Sequence, residues 1–315
     1  LNFLLKEDRI NLGIDRMKEV INKFNIQFEG IPAIQIAGTN GKGSIARFLE
    51  SCLIKKGIKT GCTTSPHLYN WCERIRVNGK EIPSKDFQSR VSKIQTHFGN
   101  QYLTTFEVLI SCAFDYFSFS QVEIILLEVG LGGRLDATTS YPYRPIIALG
   151  KIGLDHCEYL GQTLADITKE KAGVISNGSI VVSARQKKDV EKILEQIAFK
   201  KKATIKWVTP IQKSWSLGIS GEVQRDNAAV AKGVLEELKT FGWKIPENII
   251  KEGLANAYWP GRLQKTNWKG MPLLLDGAHN PDAAVQLSKE RRLWKENKKG
   301  VHWIIGIQLH KKAPE

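Results

Sequence analysis

The segment Ile34-Gln35-Ile36-Ala37-Gly38-Thr39-Asn40-Gly41-Lys42-Gly43-Ser44 sets a lysine, hydroxyls and glycines in one turn, between an apolar run and a stretch of helical periodicity. Strand, glycine loop and helix is the arrangement that cradles phosphates. The glycines let backbone N–H groups approach the oxygens, and the helix N-terminus adds positive potential. The lysine neutralises charge and the hydroxyl reaches Mg²⁺. The strict Walker pattern is not met, because Gly43 separates Lys42 from Ser44 and Ile36 stands where the first glycine would be. A tight Gly/Asn turn at a helix start is the plain alternative. A nucleotide site is the stronger reading.

A second group of residues lies downstream. Ile124-Ile125-Leu126-Leu127-Glu128 reads as a buried strand ending in a carboxylate, followed by Gly130-Leu131-Gly132-Gly133-Arg134. In nucleotide-binding α/β proteins the ligand lies at the carboxyl ends of the strands. A glutamate there can hold Mg²⁺ opposite a phosphate-loop hydroxyl, the glycines permit close backbone approach, and Arg134 suits an anion. Asp155-His156 follows, then a helix that ends Lys169-Glu170-Lys171-Ala172-Gly173. Alone, such a histidine is a polar loop residue, and such a lysine complements a helix dipole. Taken with the phosphate loop and the strand-end glutamate, they suggest a metal site.

These groups need a scaffold, and the hydrophobic pattern supplies one. Strands are predicted at 33–37, 58–63, 73–77, 122–128, 145–149, 179–183 and 204–208. Helices are predicted at 3–24, 45–56, 84–97, 105–118, 163–173, 187–200 and 225–241. Alternating strands and helices imply a parallel α/β sheet with helices on both faces. The stretch 209–224 is polar and turn-rich. Trp259-Pro260-Gly261-Arg262 marks a boundary before a strand at 273–275, a helix at 281–297 and a strand at 301–306. The expected organisation is therefore a phosphate-loop, ATP-binding domain over 1–260, then a Rossmann-like α/β domain beginning at 261. With about 55 residues in 261–315, against about 100 for such a domain, the second unit is expected to be incomplete.

Composition narrows the class. With 42% hydrophobic and 25% charged residues, the 315-residue chain is an ordinary globular sequence, and no apolar run reaches membrane-spanning length. The cysteines are odd in number, 5, and never form C-x-x-C, which disfavours a disulfide framework or zinc site and points to the reducing cytoplasm. The net charge of +14 could serve nucleic acid. Its densest runs, Lys187-Lys188, Lys200-Lys201-Lys202 and Lys298-Lys299, fall at helix ends or turns without aromatics to stack bases, so solvated helix ends are preferred. Neither nucleic-acid nor membrane partners are expected.

Several motifs in register resemble those of the folylpolyglutamate synthase / dihydrofolate synthase family within the Mur-ligase superfamily. Beside the loop at 38–44 these are Leu12-Gly-Ile-Asp-Arg-Met17, Ser65-Pro66-His67-Leu68 with Glu73-Arg74-Ile75, and Glu128-Val-Gly-Leu-Gly-Gly-Arg-Leu-Asp-Ala-Thr138. Leu154-Asp-His156, Leu160-Gly-Gln-Thr163, Glu170-Lys-Ala-Gly173, Pro260-Gly-Arg262 and Asp276-Gly-Ala-His-Asn-Pro281 complete the set. The resemblance implies that Gly38, Thr39, Asn40, Gly41, Lys42, Gly43 and Ser44 bind ATP, with Ser44 also on Mg²⁺. It implies two magnesium ions bridged by Glu128, the second served by His156 and Ser65. Lys171 matches the lysine the family carbamylates, which would turn a metal-repelling ammonium into an anionic oxygen donor. Asn227 would meet the adenine side, and Arg262, Asp276 and His279 would close over the nucleotide from the second domain. Ser65, Pro66, His67, Arg134 and Asp136 would face the pteridine substrate. Thr139, where the family usually has Asn, and Val223, where it often has His, depart from the pattern on the substrate side.

The implied reaction starts with attack of a pteridine carboxylate, from dihydropteroate or a folate, on the γ-phosphate of ATP. The amine of L-glutamate then displaces phosphate from the acyl phosphate, and a monomer is expected to suffice. Lys42, Lys171, Arg262 and His279 are the expected catalytic groups, offsetting the repulsion between carboxylate and triphosphate. The alternatives are a Mur-type amino-acid ligase, or a nucleotide-binding fragment without activity.

Overall fold

The computed structural model describes residues 10–28, 30–99, 101–290 and 301–307. In chain order its elements begin α1 (Asp15–Lys23), β1 (Ala33–Ala37), α2 (Lys42–Lys56), β2 (Thr60–Thr63), β3 (Ile75–Val77), β4 (Lys80–Glu81), α3 (Ser84–Phe98), α4 (Thr105–Phe119) and β5 (Ile124–Glu128). They continue β6 (Ile146–Leu149), α5 (Cys157–Leu160), α6 (Leu164–Ala172), β7 (Ile180–Ala184), α7 (Lys188–Lys200), β8 (Thr204–Val208), α8 (Val223–Glu237) and α9 (Glu247–Asn256). A hairpin, β9 (Gln264–Trp268) with β10 (Met271–Leu275), and α10 (Pro281–Lys289) follow. Among the described residues no helix is long and apolar enough to cross a membrane.

The main sheet runs β4-β3-β2-β5-β1-β6-β7-β8. β1 lies between β5 and β6, both parallel to it, with Ile36 opposite Glu128 on one side and Ala148 on the other. The chain leaves β1 toward β2 and later crosses to β6 on the other flank, so a topological switch point falls at the carboxyl end of β1. Residues alternate between faces, as the strand period requires. Ile34, Ile36, Leu126 and Ala148 pack in one apolar layer with Phe48 and Leu49 of α2, Val234 of α8 and Leu254 of α9. Ile125 and Leu127 point the other way, among Val91, Leu109 and Phe114 of α3 and α4. Ile147, Leu149 and Val181 meet Ile167 and Leu194 of α6 and α7. Helices thus cover both faces of a sheet whose central strands are wholly buried.

The expected α/β architecture holds, with local differences. The sheet is mixed, because β2–β3 and β3–β4 pair antiparallel. The strand expected at 73–77 starts only at Ile75, since Asn70 and Glu73 form a capping box that winds Trp71–Arg74 into a 3₁₀ turn. The helix expected at 3–24 is Asp15–Lys23, with 3–9 lying outside the described residues. The segment expected as a strand at 301–306 is irregular, and the helix from 281 runs to Lys289, with 291–297 outside the described residues. β10 pairs antiparallel with β9 in a separate two-stranded sheet.

Entry into α4 is fixed by a second capping box. Thr104 Oγ1 accepts from Glu107 N at 3.2 Å and the Glu107 carboxylate accepts from Thr104 N at 2.7 Å. Glu107 also pairs with Arg16 at 2.8 Å, tying α1 to α4. Thr104→Ala is expected to lower the unfolding free energy by about 1 kcal/mol, read as a fall in the urea midpoint at unchanged slope.

Candidate active site

The loop after β1 is pressed against the loop after β6. Thr39 N donates to Lys151 O at 2.9 Å, and Thr39 Oγ1 both donates to Gly153 O at 2.9 Å and accepts from Gly153 N at 3.0 Å. α2 starts from Gly41 in the left-handed region, φ +89°, with no side chain capping its first N–H groups. Those donors face the switch-point crevice, the place and polarity that suit a polyphosphate.

Lys42 folds back over this loop, its Nζ donating to Gly38 O at 3.2 Å and Thr39 O at 3.0 Å. Burial pulls its pKa below the ordinary lysine value, while Glu128, Asp155 and Asp136 oppose the shift. Glu128, at the end of β5, is 4% exposed and accepts from Ser65 N at 3.1 Å. Burial pushes its carboxyl upward, opposed by Lys42, Ser65 N, Arg262 and Arg76. Lys42 and Glu128 are thus both desolvated, a setting that strengthens electrostatic interactions, and the Arg262 charge acts on both.

Ser44 bears on magnesium. Its Oγ is buried and has no hydrogen-bond partner among the described residues, an arrangement that costs free energy unless a ligand completes it. A hydroxyl with one carboxylate is what Mg²⁺ takes when phosphates and water fill its other positions. The residues present fit that ion, although no group of three or more His, Cys, Asp or Glu gathers into a metal cluster among the described residues. His156 takes a left-handed backbone at the start of α5, its Nε2 3.9 Å from Asp155 Oδ2. Lys171, 4% exposed in the last turn of α6, donates from Nζ to Gly38 O at 3.2 Å and so touches the phosphate loop directly.

The 276–280 loop closes onto the same place. Asn280 Nδ2 donates to Asn40 Oδ1 at 3.0 Å and to Asp155 Oδ2 at 3.2 Å, while Asn40 Nδ2 returns to Asn280 Oδ1 at 3.1 Å. Asn280 also caps α10 through Ala283 N and is 2% exposed. Asp276 works within its own segment, accepting from Leu263 N at 3.0 Å and Ala278 N at 2.8 Å. It shapes the turn that carries Arg262. His279 is exposed, with Nε2 3.9 Å from Asp155 Oδ2. Asn227 of α8 is buried beside Gly41 and bonded to Gln224 at 2.9 Å.

The residues expected on the substrate side divide. Ser65 stands beside Glu128, Pro66 follows a cis peptide, and His67 Nδ1 accepts from Arg74 Nε at 2.8 Å while packing on Trp71. Asp136 is 2% exposed, and its oxygens accept from Gly130 N, Leu131 N and Thr138 N at 3.0 Å each. That carboxylate organises the glycine loop. Arg134 is paired with Glu170 at 2.9 Å near the surface. Asp155, Asn280 and Phe106 were not among the expected site residues. Phe106 lines a small cavity with Glu128 and Thr64, and its ring lies where a Cβ on Gly130 would be. A lone aromatic in a helix carries no local signal for that role. Thr139, the departure from the family pattern, accepts from buried Gln35 at 2.8 Å and donates to Gly133 O at 2.6 Å.

A glycine loop, a buried lysine and a strand-end carboxylate at the switch point of a mostly parallel sheet define a nucleotide-dependent α/β enzyme. No protein-family model matches the chain. It is 34% identical over 311 residues to the dihydrofolate synthetase of Saccharomyces cerevisiae, covering 90% of this chain and 73% of that one. It is 32% identical over 321 residues to the dihydrofolate synthase/folylpolyglutamate synthase of Escherichia coli, covering 98% and 74%. The structure of Escherichia coli FolC in complex with DHPP and ADP superposes with a TM-score of 0.83 at 30% identity, covering 94% of this chain and 74% of that one. The chain belongs to the dihydrofolate synthase/folylpolyglutamate synthase family.

Proposed function

We propose that this protein joins L-glutamate to the carboxylate of dihydropteroate or a folate, using ATP and forming ADP and phosphate through an acyl phosphate. The observation that carries this is the placement of Lys42 on the Gly38 and Thr39 carbonyls of the phosphate loop and of buried Glu128 at the end of β5, with the Arg262 charge acting on both. A ligand bearing a carboxylate and a triphosphate brings several negative charges together, and this site offsets them. The relative in complex with DHPP and ADP supports the substrate class.

In this mechanism the N–H groups at the start of α2 and the Lys42 ammonium hold the β- and γ-phosphates. Ser44 and Glu128 would hold one Mg²⁺, and Glu128, Ser65 and His156 a second. Bound there, the ions would screen the phosphate oxygens from the incoming carboxylate. Arg262 follows charge as it shifts to the transferring phosphoryl oxygens. Asn280, bridging Asn40 and Asp155, holds the 276–280 loop down so that His279 lies over the nucleotide. The Ser65–Leu68 loop, fixed by Glu73 through Leu68 N, Tyr69 N and Asn70 N, presents the acid to be activated. The five cysteines are all free thiols, a state that a reducing compartment such as the cytoplasm preserves. The deciding experiment is phosphate release with dihydropteroate and folyl-monoglutamate in turn, with and without L-glutamate. Release that ignores both acid and amine would sink the reading.

Lys171 enters this reading as a carbamate. Its Nζ is buried against Gly38 O, where an added carboxylate would face the phosphate loop. Activity is expected to fall when the enzyme is freed of CO₂ and to return with bicarbonate. Protein equilibrated with ¹³C-bicarbonate should show a carbamate carbonyl resonance that Lys171→Arg lacks. An active enzyme with no such resonance would refute it.

A further inference from the structure

Beside the phosphate loop lies a buried junction that takes no direct part in the chemistry. Arg76 of β3 is 5% exposed and forks to Glu50 of α2 at 3.1 Å, to Thr64 Oγ1 at 2.8 Å and to the Glu73 carbonyl at 2.8 Å. Its guanidinium carbon lies 5.3 Å from the centroid of the Trp259 ring, within cation–π range. The same indole abuts the phosphate loop, since a Cβ on Gly43 would sit 3.0 Å from Trp259 Nε1. One residue earlier, Tyr258 O accepts from Arg47 Nε at 3.0 Å, and Arg47 is itself paired with Glu50 at 2.8 Å. Residues 258 and 259 are thereby fastened to α2 and β3.

Three positions beyond Trp259 comes Arg262. Its charge bears on both Lys42 and Glu128. Its polar and close contacts, however, are to its own segment: Nη1 donates to Gly261 O at 3.2 Å and crowds Gly277. Nothing in those contacts sets its distance from the phosphate loop. That distance depends on how the segment is tethered, by Trp259 on one side and by the Asn40–Asn280 pair on the other.

We propose that Trp259 is a positioning residue of the ligase reaction, its indole held by Gly43 and Arg76 so that Arg262 reaches the transferring phosphoryl group. The proposal rests on the ligase reading of the site. A reacting group misplaced by about an ångström can cost about a hundredfold in rate. Because the asparagine pair still tethers the segment, losing the indole loosens Arg262 without releasing it.

The test is a double-mutant cycle in the intact enzyme, with kcat and the KM values for ATP and the pteridine acid measured separately. Trp259→Leu is expected to lower kcat about tenfold with the acid KM nearly unchanged, and Trp259→Phe, which restores an aromatic face, to recover most of that loss. In an Arg262→Ala background, Trp259→Leu should cost nothing further, because a residue acting only through another has no effect once that other is gone. If Trp259→Leu does not fold, Trp259→Tyr carries the same cycle, with about a threefold loss alone and none beside Arg262→Ala. Losses that multiply in the double variant, or a Trp259→Leu enzyme with unchanged kcat, would overturn the assignment. An unsubstituted protein with no glutamate-dependent turnover would instead remove the ligase reading on which the assignment stands.

Discussion

Glu128→Gln is expected to leave a folded protein that still binds nucleotide but has lost about a thousandfold or more in turnover. The amide keeps the shape of the side chain and an oxygen for Ser65 N, which lies 3.1 Å away. What it removes is the charge that Lys42, Arg262 and Arg76 face. Without it the Lys42 ammonium and the Arg262 guanidinium repel one another, and one of the oxygen donors proposed for Mg²⁺ is weakened. Stability should change far less. Burial raises the pKa of Glu128, so the neutral amide spares a desolvation cost, and against this stands the loss of the carboxylate that favours the buried Lys42 ammonium. Loss of activity with the fold retained is the signature of a charge kept for chemistry. Near-normal ligation by the variant would take Glu128 out of the reaction.

How much of this was legible in the sequence depended on how local each signal was. β1, the phosphate loop and α2 form one uninterrupted unit, and the apolar alternation, the glycines and the helical spacing each point to it. The same holds for β5 with Glu128 at its end, where strand length and the strand-end rule place the carboxylate. The antiparallel edge was not legible, because a period of two reports a buried strand and says nothing of its direction. α9 was missed although Pro246 and Glu247 open it and Ile250 and Leu254 bury one side, because so short a stripe is easily read as loop. The site's closure was least visible. Asn40 and Asn280 stand 240 residues apart and meet only through the fold. Asp136 shows the converse. The resemblance puts it on the substrate side, whereas four loop donors, three N–H groups and the Thr138 hydroxyl, occupy its oxygens. In such a loop a short acidic side chain satisfies the turn's own N–H groups first.

Gly41→Ala is the second large effect, and it separates the nucleotide loop from ordinary backbone strain. Gly41 has φ +89°, and a Cβ there would lie 2.2 Å from Asn227 Oδ1, far inside contact distance. Asn227 has little room to yield, being 5% exposed and bonded to Gln224 at 2.9 Å. The loop must therefore shift, turning the first N–H groups of α2 away from the phosphates. We expect ADP affinity to fall by about a hundredfold, the loss of roughly two charge-assisted hydrogen bonds. Gly57→Ala is the control. Gly57 caps the other end of α2 at φ +86°, with nothing within 4 Å of a new Cβ. It carries the same backbone penalty, about 1–2 kcal/mol, without a clash and a helix length away from the crevice. Calorimetric titration with ADP and Mg²⁺ should thus find Gly57→Ala less stable but binding normally, and Gly41→Ala binding poorly at any temperature where it is folded. Equal affinity losses in the two variants would mean that the loop at 38–44 does not hold the phosphates.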